Sequence, residues 1–156
     1  MTRSQYRALC RVFIAERFNV CYSHLHTMKI ADPDRHGRAT YRHLVDLHWV
    51  TENPVCRYMH IAHTRWRDAA PLGLAAVLRL QQVRQKLAAH KALLITNTCF
   101  SARAVAAALD DGIALFLVRP AFDHHQLTAR GPYDAVAQMQ RLVSRKAPLY
   151  TYQSVH

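Results

Sequence analysis

Residues 91–120, KALLITNTCFSARAVAAALDDGIALFLVRP, decide how this 156-residue chain folds. Ala92–Thr96 is a short apolar run, as expected of a strand buried on both faces. Ser101 stands where a helix N-cap belongs, Ala104, Val105, Ala108 and Leu109 form a helical stripe, and Gly112 falls where that helix should stop. Ile113–Val118 then reads as a second buried strand, ended by Pro120. Strand, helix and strand of these lengths predict a βαβ unit with parallel strands and a right-handed crossover.

Upstream, Pro71 opens a helix over Leu72–His90 whose apolar stripe is Ala76, Val77, Leu80, Val83 and Leu87. Before it, Tyr41–Val50 and Val55–Trp66 read as strands joined by Thr51-Glu52-Asn53-Pro54, a sequence with good turn chemistry. Val20–Thr40, punctuated by Asp32-Pro33-Asp34 and His36-Gly37, reads as loop and turn. Arg3–Phe18 has the spacing of an amphipathic helix, with Tyr6, Leu9, Cys10, Phe13, Ile14 and Phe18 inside and Arg3, Arg7 and Arg11 on the opposite face, a solvated row with phosphate contact as the alternative. A last helix is expected from Tyr133 to Arg145, with Pro148 beyond its end. The order predicts an α/β protein, a three-layer sandwich with a mixed central sheet flanked by helices. One domain over 1–156 is expected, its core at about 3–125 and a C-terminal helix and tail at 126–156.

The chain carries 21 Lys plus Arg against 10 Asp plus Glu, a formal charge of +11, and 17 of those cations are Arg. Arginine offers a planar fork of donors that matches phosphate oxygens in pairs and stacks on bases, so nucleic acid is the first partner to consider. No apolar run approaches the roughly 18 residues of a membrane span. Arginines break up the N-terminal segment, which argues against a signal peptide and for a cytoplasmic protein. Cys10, Cys21, Cys56 and Cys99 show no C-x-x-C spacing and suit buried, reduced thiols.

The phrase Lys91-Ala92-Leu93-Leu94-Ile95-Thr96-Asn97-Thr98-Cys99-Phe100-Ser101, then Ala104, then Asp111-Gly112-Ile113-Ala114-Leu115, resembles the Mrr-type branch of the restriction-endonuclease-like superfamily, PD-(D/E)XK. The preceding helix and Arg65-Trp66 at a strand end fit it too, and the likeness spans about residues 5–125. Active members hold one or two Mg2+ ions with an Asp on the second strand and a Glu or Gln two residues before a Lys on the third. Carboxylates give the hard oxygen ligands that such an ion needs, and the ion activates water and stabilises the charged transition state. Asp46 falls where the Asp belongs. Ala62 and Thr64 stand at the places of the acid and the lysine, and neither supplies that chemistry.

The resemblance therefore implies DNA binding with a degenerate catalytic motif, Asp46 being the one catalytic candidate and Mg2+ the cofactor if the chain is active. Two other readings of the gap stay open, a slipped strand alignment and a migrated site. In the latter, alternation would put Asp46 and His48 on one sheet face, where His60 or His63 could complete with them a site for a metal softer than magnesium. The candidate DNA contacts are Arg65 and Arg67 around Trp66, with Thr96, Asn97, Thr98 and Ser101 at a strand end and helix start. For the last four, capping and turn formation is the competing role. A non-catalytic subunit docking on an acidic partner, a His-based hydrolase and a homodimer are the alternative expectations.

Overall fold

A computed structural model describes residues 1–33, 36–143 and 147–155. Helix α1 (Arg3–Arg17) is followed by β1 (His26–Pro33), β2 (Ala39–Glu52), β3 (Arg57–Arg65), α2 (Leu74–Leu87), β4 (Lys91–Thr96), α3 (Ala102–Asp110), β5 (Ile113–Pro120), α4 (Pro132–Leu142) and β6 (Tyr150–Val155). The six strands form one sheet in sequence order. Pairing is antiparallel for β1–β2, β2–β3 and β5–β6 and parallel for β3–β4 and β4–β5. This is an open mixed sheet with helices on both faces.

Each face has its own core. Residues of α1 and α4, among them Tyr6, Phe13, Ala135 and Met139, pack with Leu47, Trp49, Ala62, Leu93, Ile95 and Val118. On the other face Val77, Leu80 and Val83 of α2 and Ala104 and Ala108 of α3 meet Ile61, Ala92, Leu94, Ile113 and Leu115. The alternation along β4, Leu93 and Ile95 one way, Ala92 and Leu94 the other, is what the unbroken apolar run required.

The βαβ segment behaves as expected. Ser101 accepts from the Ala104 N–H at 3.2 Å as N-cap of α3. Gly112 takes the left-handed conformation, φ 62°, between α3 and β5. The hairpin turn is closed by Asn53, whose Oδ1 accepts from Val55 N and Cys56 N.

Four features differ from expectation. Residues 26–33, read as loop, form β1, and residues 150–155, read as tail, form β6; each is an edge strand paired on one side, so neither has the buried run that marks a central strand. Helix α2 begins at Leu74 because Leu72 is held extended, its N–H on the Cys99 carbonyl at 2.8 Å and its own carbonyl on Ser101 N at 3.0 Å. It ends at Leu87, with Ala88 left-handed at φ 49°. Of the four thiols only Cys10 is buried, and all four are free. Position 34 of the expected turn and Arg145 at the expected end of the last helix lie outside the described residues. Among the described residues no helix is long and apolar enough to cross a membrane.

Phe13 ties the sheet to α1. It is fully buried and its ring meets Phe116, Tyr150 and Tyr152 at 5.4, 5.4 and 5.5 Å. Phe13→Ala is expected to lower unfolding free energy by about 3–5 kcal/mol, read from denaturant titration, and to free β6 for amide exchange before β4.

Candidate functional site

Asp46 sits where the sheet is irregular. Between the pairs His26↔His48 and Met28↔Val45, one residue of β1 faces two of β2, a bulge at Asp46 and Leu47. The β2–β3 ladder stops beside it, at Leu47↔Ala62. The Asp46 side chain completes the gap: its Oδ2 accepts the Thr64 N–H at 2.9 Å, and its own carbonyl accepts from Thr27 Oγ1 at 3.0 Å.

The carboxylate is fully buried, and an ionised group there must be compensated in full. Three guanidiniums do this. Arg3 Nη2 donates to Oδ1 at 3.0 Å, Arg7 Nε lies 3.3 Å from the same oxygen, and Arg65 Nη1 donates to Oδ2 at 3.0 Å. Arg3 and Arg7 are four apart on α1, so they project from one side of the helix. The face expected to be solvated is so only in part: Arg3 is exposed and Arg7 half-buried, and both reach the Asp46 carboxylate.

His63 borders this cluster on β3. Burial, followed by the charge of Arg65, pushes its pKa down to about 4, with Asp46 opposing. The ring is therefore neutral at pH 7. Arg65 Nη2 lies 3.4 Å from His63 Nδ1; a guanidinium only donates, which makes Nδ1 the acceptor and puts the proton on Nε2. That Nε2 is buried without a partner, as is Thr64 Oγ1.

The structure separates the expected metal set. The bulge breaks the alternation, so His48, opposite Ile61, shares the α2 face, whereas Asp46 is held by α1. His48 Nδ1 lies 2.9 Å from the His26 carbonyl. His60 stacks on Trp49, centroids 5.0 Å apart and rings 5° from parallel, with Nε2 2.8 Å from Thr51 Oγ1. Among the described residues no three His, Cys, Asp or Glu side chains converge as a metal cage. Mg2+ does not fit these residues: both Asp46 oxygens hold cationic or N–H donors, and Ala62 and Thr64 add no carboxylate.

The residues expected to contact DNA lie at the carboxyl ends of β3 and β4 and the start of α3, and the polar side-chain atoms of Thr96, Asn97, Thr98 and Ser101 are engaged within the protein. Thr96 is fully buried and donates to the Arg65 carbonyl at 2.8 Å. Asn97 takes Arg67 N at 2.8 Å and gives its amide to Arg67 O at 2.7 Å. Thr98 donates to Ala70 O at 3.2 Å, and Ser101 caps α3. Trp66 packs half-buried against Tyr6, centroids 5.4 Å apart. Arg67 and Arg103 present exposed side chains at this edge, as does Arg119, whose Nε donates to Asn97 O at 2.9 Å. Arg3 and Arg7 are the site residues that the sequence does not announce; their four-residue spacing is visible there, but their destination is not.

No protein-family model matches the chain, and no curated protein matches it. Two solved structures are similar to it. A protein of unknown function, AF1548, superposes with a TM-score of 0.46 at 16% identity over 70% of this chain and 56% of its own. The DNA modification-dependent restriction endonuclease AspBHI gives 0.44 at 15% identity over 91% of this chain and 40% of its own. The chain thus spans about half the length of one and two-fifths of the other.

Asp46→Asn leaves three guanidiniums without their counter-charge. It should destabilise the fold by about 2–4 kcal/mol in denaturant titration, short of a fully buried pair because the arginines are partly solvated. Acid should weaken the fold through His63. Its folded pKa lies below the unfolded value of 6.5, so the unfolded chain binds the extra proton, and this part of the stability is complete above about pH 6.5 and lost as pH falls towards 4. Melting temperatures of His63→Asn across that window should fall less steeply than those of the parent.

Proposed function

We propose that this chain binds duplex DNA through an arginine-rich edge of a restriction-endonuclease-like domain and leaves the phosphodiester bonds intact. The observation that carries the reading is Asp46 itself. The acid that would hold a catalytic metal is enclosed by Arg3, Arg7 and Arg65 and by the Thr64 amide. A divalent ion would have to displace at least one guanidinium and then find its remaining ligands in water. The carboxylate serves as the anchor of a cationic cluster, and the domain keeps the shape of a nuclease for binding.

DNA is the partner because of the charge and its kind. Arg67, Arg103 and Arg119 are exposed where β3, β4 and β5 end and α3 begins, the side of a parallel sheet on which ligands collect. Their forks suit phosphate oxygens in pairs. The Mrr-type likeness of residues 91–115 supports the same partner, and a homodimer would double the contacts without changing their nature.

The experiment is incubation of purified protein with supercoiled plasmid and Mg2+ or Mn2+, alongside fluorescence anisotropy with a labelled duplex. Binding that weakens with salt and an intact plasmid are expected. Arg67→Glu and Arg119→Glu each take one cation away from the phosphate backbone, and each should make the slope of log affinity against log salt shallower by about 0.9. Metal-dependent nicking that follows the protein peak through gel filtration would overturn the non-cleaving reading, and no salt-dependent binding would overturn the DNA reading.

A further inference from the structure

Between α1 and the bulged pair β1–β2 lies a cleft of about 90 Å³ whose polar lining is Ser4, Arg7, Arg11 and Thr27, over a floor of Ala8 and Leu47. Ser4, Arg7, Ala8 and Arg11 follow the spacing of one helix face. Among the described residues no carboxylate lines the cleft.

Its two cations are poorly compensated. Arg7 approaches Asp46 only through Nε, at 3.3 Å and without the alignment of a hydrogen bond, and that carboxylate is already shared with Arg3 and Arg65. Arg11 donates through Nη2 to the Leu25 carbonyl and lies over the Tyr22 ring, 4.9 Å from its centroid. Its Nε is buried without a hydrogen-bond partner, and that of Arg7 has only the ion-pair contact with Asp46. Like charges four apart on a helix repel, and Asp46, shared among three guanidiniums, offsets that only in part. An anion between them removes the repulsion. The first turn of α1, where Ser4 lies, adds the positive end of a helix dipole.

We infer that this cleft binds a tetrahedral oxyanion, a phosphate group held by the outer guanidinium nitrogens of Arg7 and Arg11 with the Ser4 hydroxyl. One water centre needs only about 10–15 Å³ of such space, so the five heavy atoms of a phosphate have room. The cleft shares no lining residue with the DNA edge at Arg67 and Arg119, and the inference does not rest on that reading. The phosphate is either the free ion or the terminal group of a nucleic-acid strand.

Ser4→Asp tests this with little risk to folding. Ser4 is exposed, an acid in the first helical turn suits the dipole, and its carboxylate reaches towards Arg7 three residues on. The variant should melt higher than the parent in chloride, while losing at least about tenfold in phosphate affinity by calorimetry. Inorganic phosphate should raise the parent's melting temperature saturably at constant ionic strength. An oligonucleotide with a 5′-phosphate is then compared with its unphosphorylated twin. A preference for the phosphorylated strand, erased by Ser4→Asp, assigns the cleft to a strand end; equal binding of the twins with a saturable response to phosphate assigns it to the free ion. No saturable response of the parent to either probe, or an undiminished one in Ser4→Asp, overturns the site. Loss of both oligonucleotides with phosphate binding retained would count against the DNA reading alone.

Discussion

One buried carboxylate organises the molecule. Asp46 lies at the point where β2 leaves β3, and its oxygens collect a backbone N–H from β3 and guanidiniums from α1 and β3. Removing a carboxylate from water costs several kcal/mol, and only multiple charged donors in good geometry offset it. The bulge therefore has a purpose: it turns Asp46 out of the ordinary alternation and into reach of the helix. The angle at which α1 crosses the sheet, and so the packing of Tyr6, Leu9 and Phe13, is tied to that contact.

The parts of the fold legible in the sequence are those specified locally. Ser101, the stripe Ala104–Ala108 and Gly112 define α3 by neighbours in the chain, and the run at 92–96 is apolar because both faces of β4 are covered, as is most of 113–118, where Ala114 alone is exposed. The edge strands escaped because one flank of each meets solvent. Tyr150-Thr151-Tyr152 does alternate, and its tyrosines face Phe13, but that is too short a pattern to separate from a tail. Leu72 shows the converse limit: local propensity favours helix, and two long-range hydrogen bonds to Cys99 and Ser101 hold it extended.

The site was half legible for the same reason. Asp46 is conspicuous as a lone acid among Leu44, Val45 and Leu47. Its partners depend on strand register, and one bulge sends His48 to the opposite face from Asp46. Arg3 and Arg7 look like any solvated row, because nothing within four residues announces that a helix face will meet a buried anion. Polar residues such as Thr96 and Asn97 likewise show their roles only when a second strand end supplies the carbonyl and amide they bind.

Arginine suits this arrangement better than lysine would. A guanidinium can give one nitrogen to Asp46 and another elsewhere, as Arg65 does, Nη1 donating to Asp46 and the Thr64 carbonyl while Nη2 reaches His63, whereas an ammonium is a point charge with no such fork. Nor would one substitution turn the surroundings of Asp46 into a metal site. Ala62 is fully buried opposite Leu47 in the α1-side core, so a glutamate there would need space among apolar side chains as well as a cation. A lysine at Thr64 would add another positive charge beside three guanidiniums that already share one carboxylate. Metal ligands beside Asp46 would need a repacked α1, which makes the arginine cluster a structural commitment of the fold.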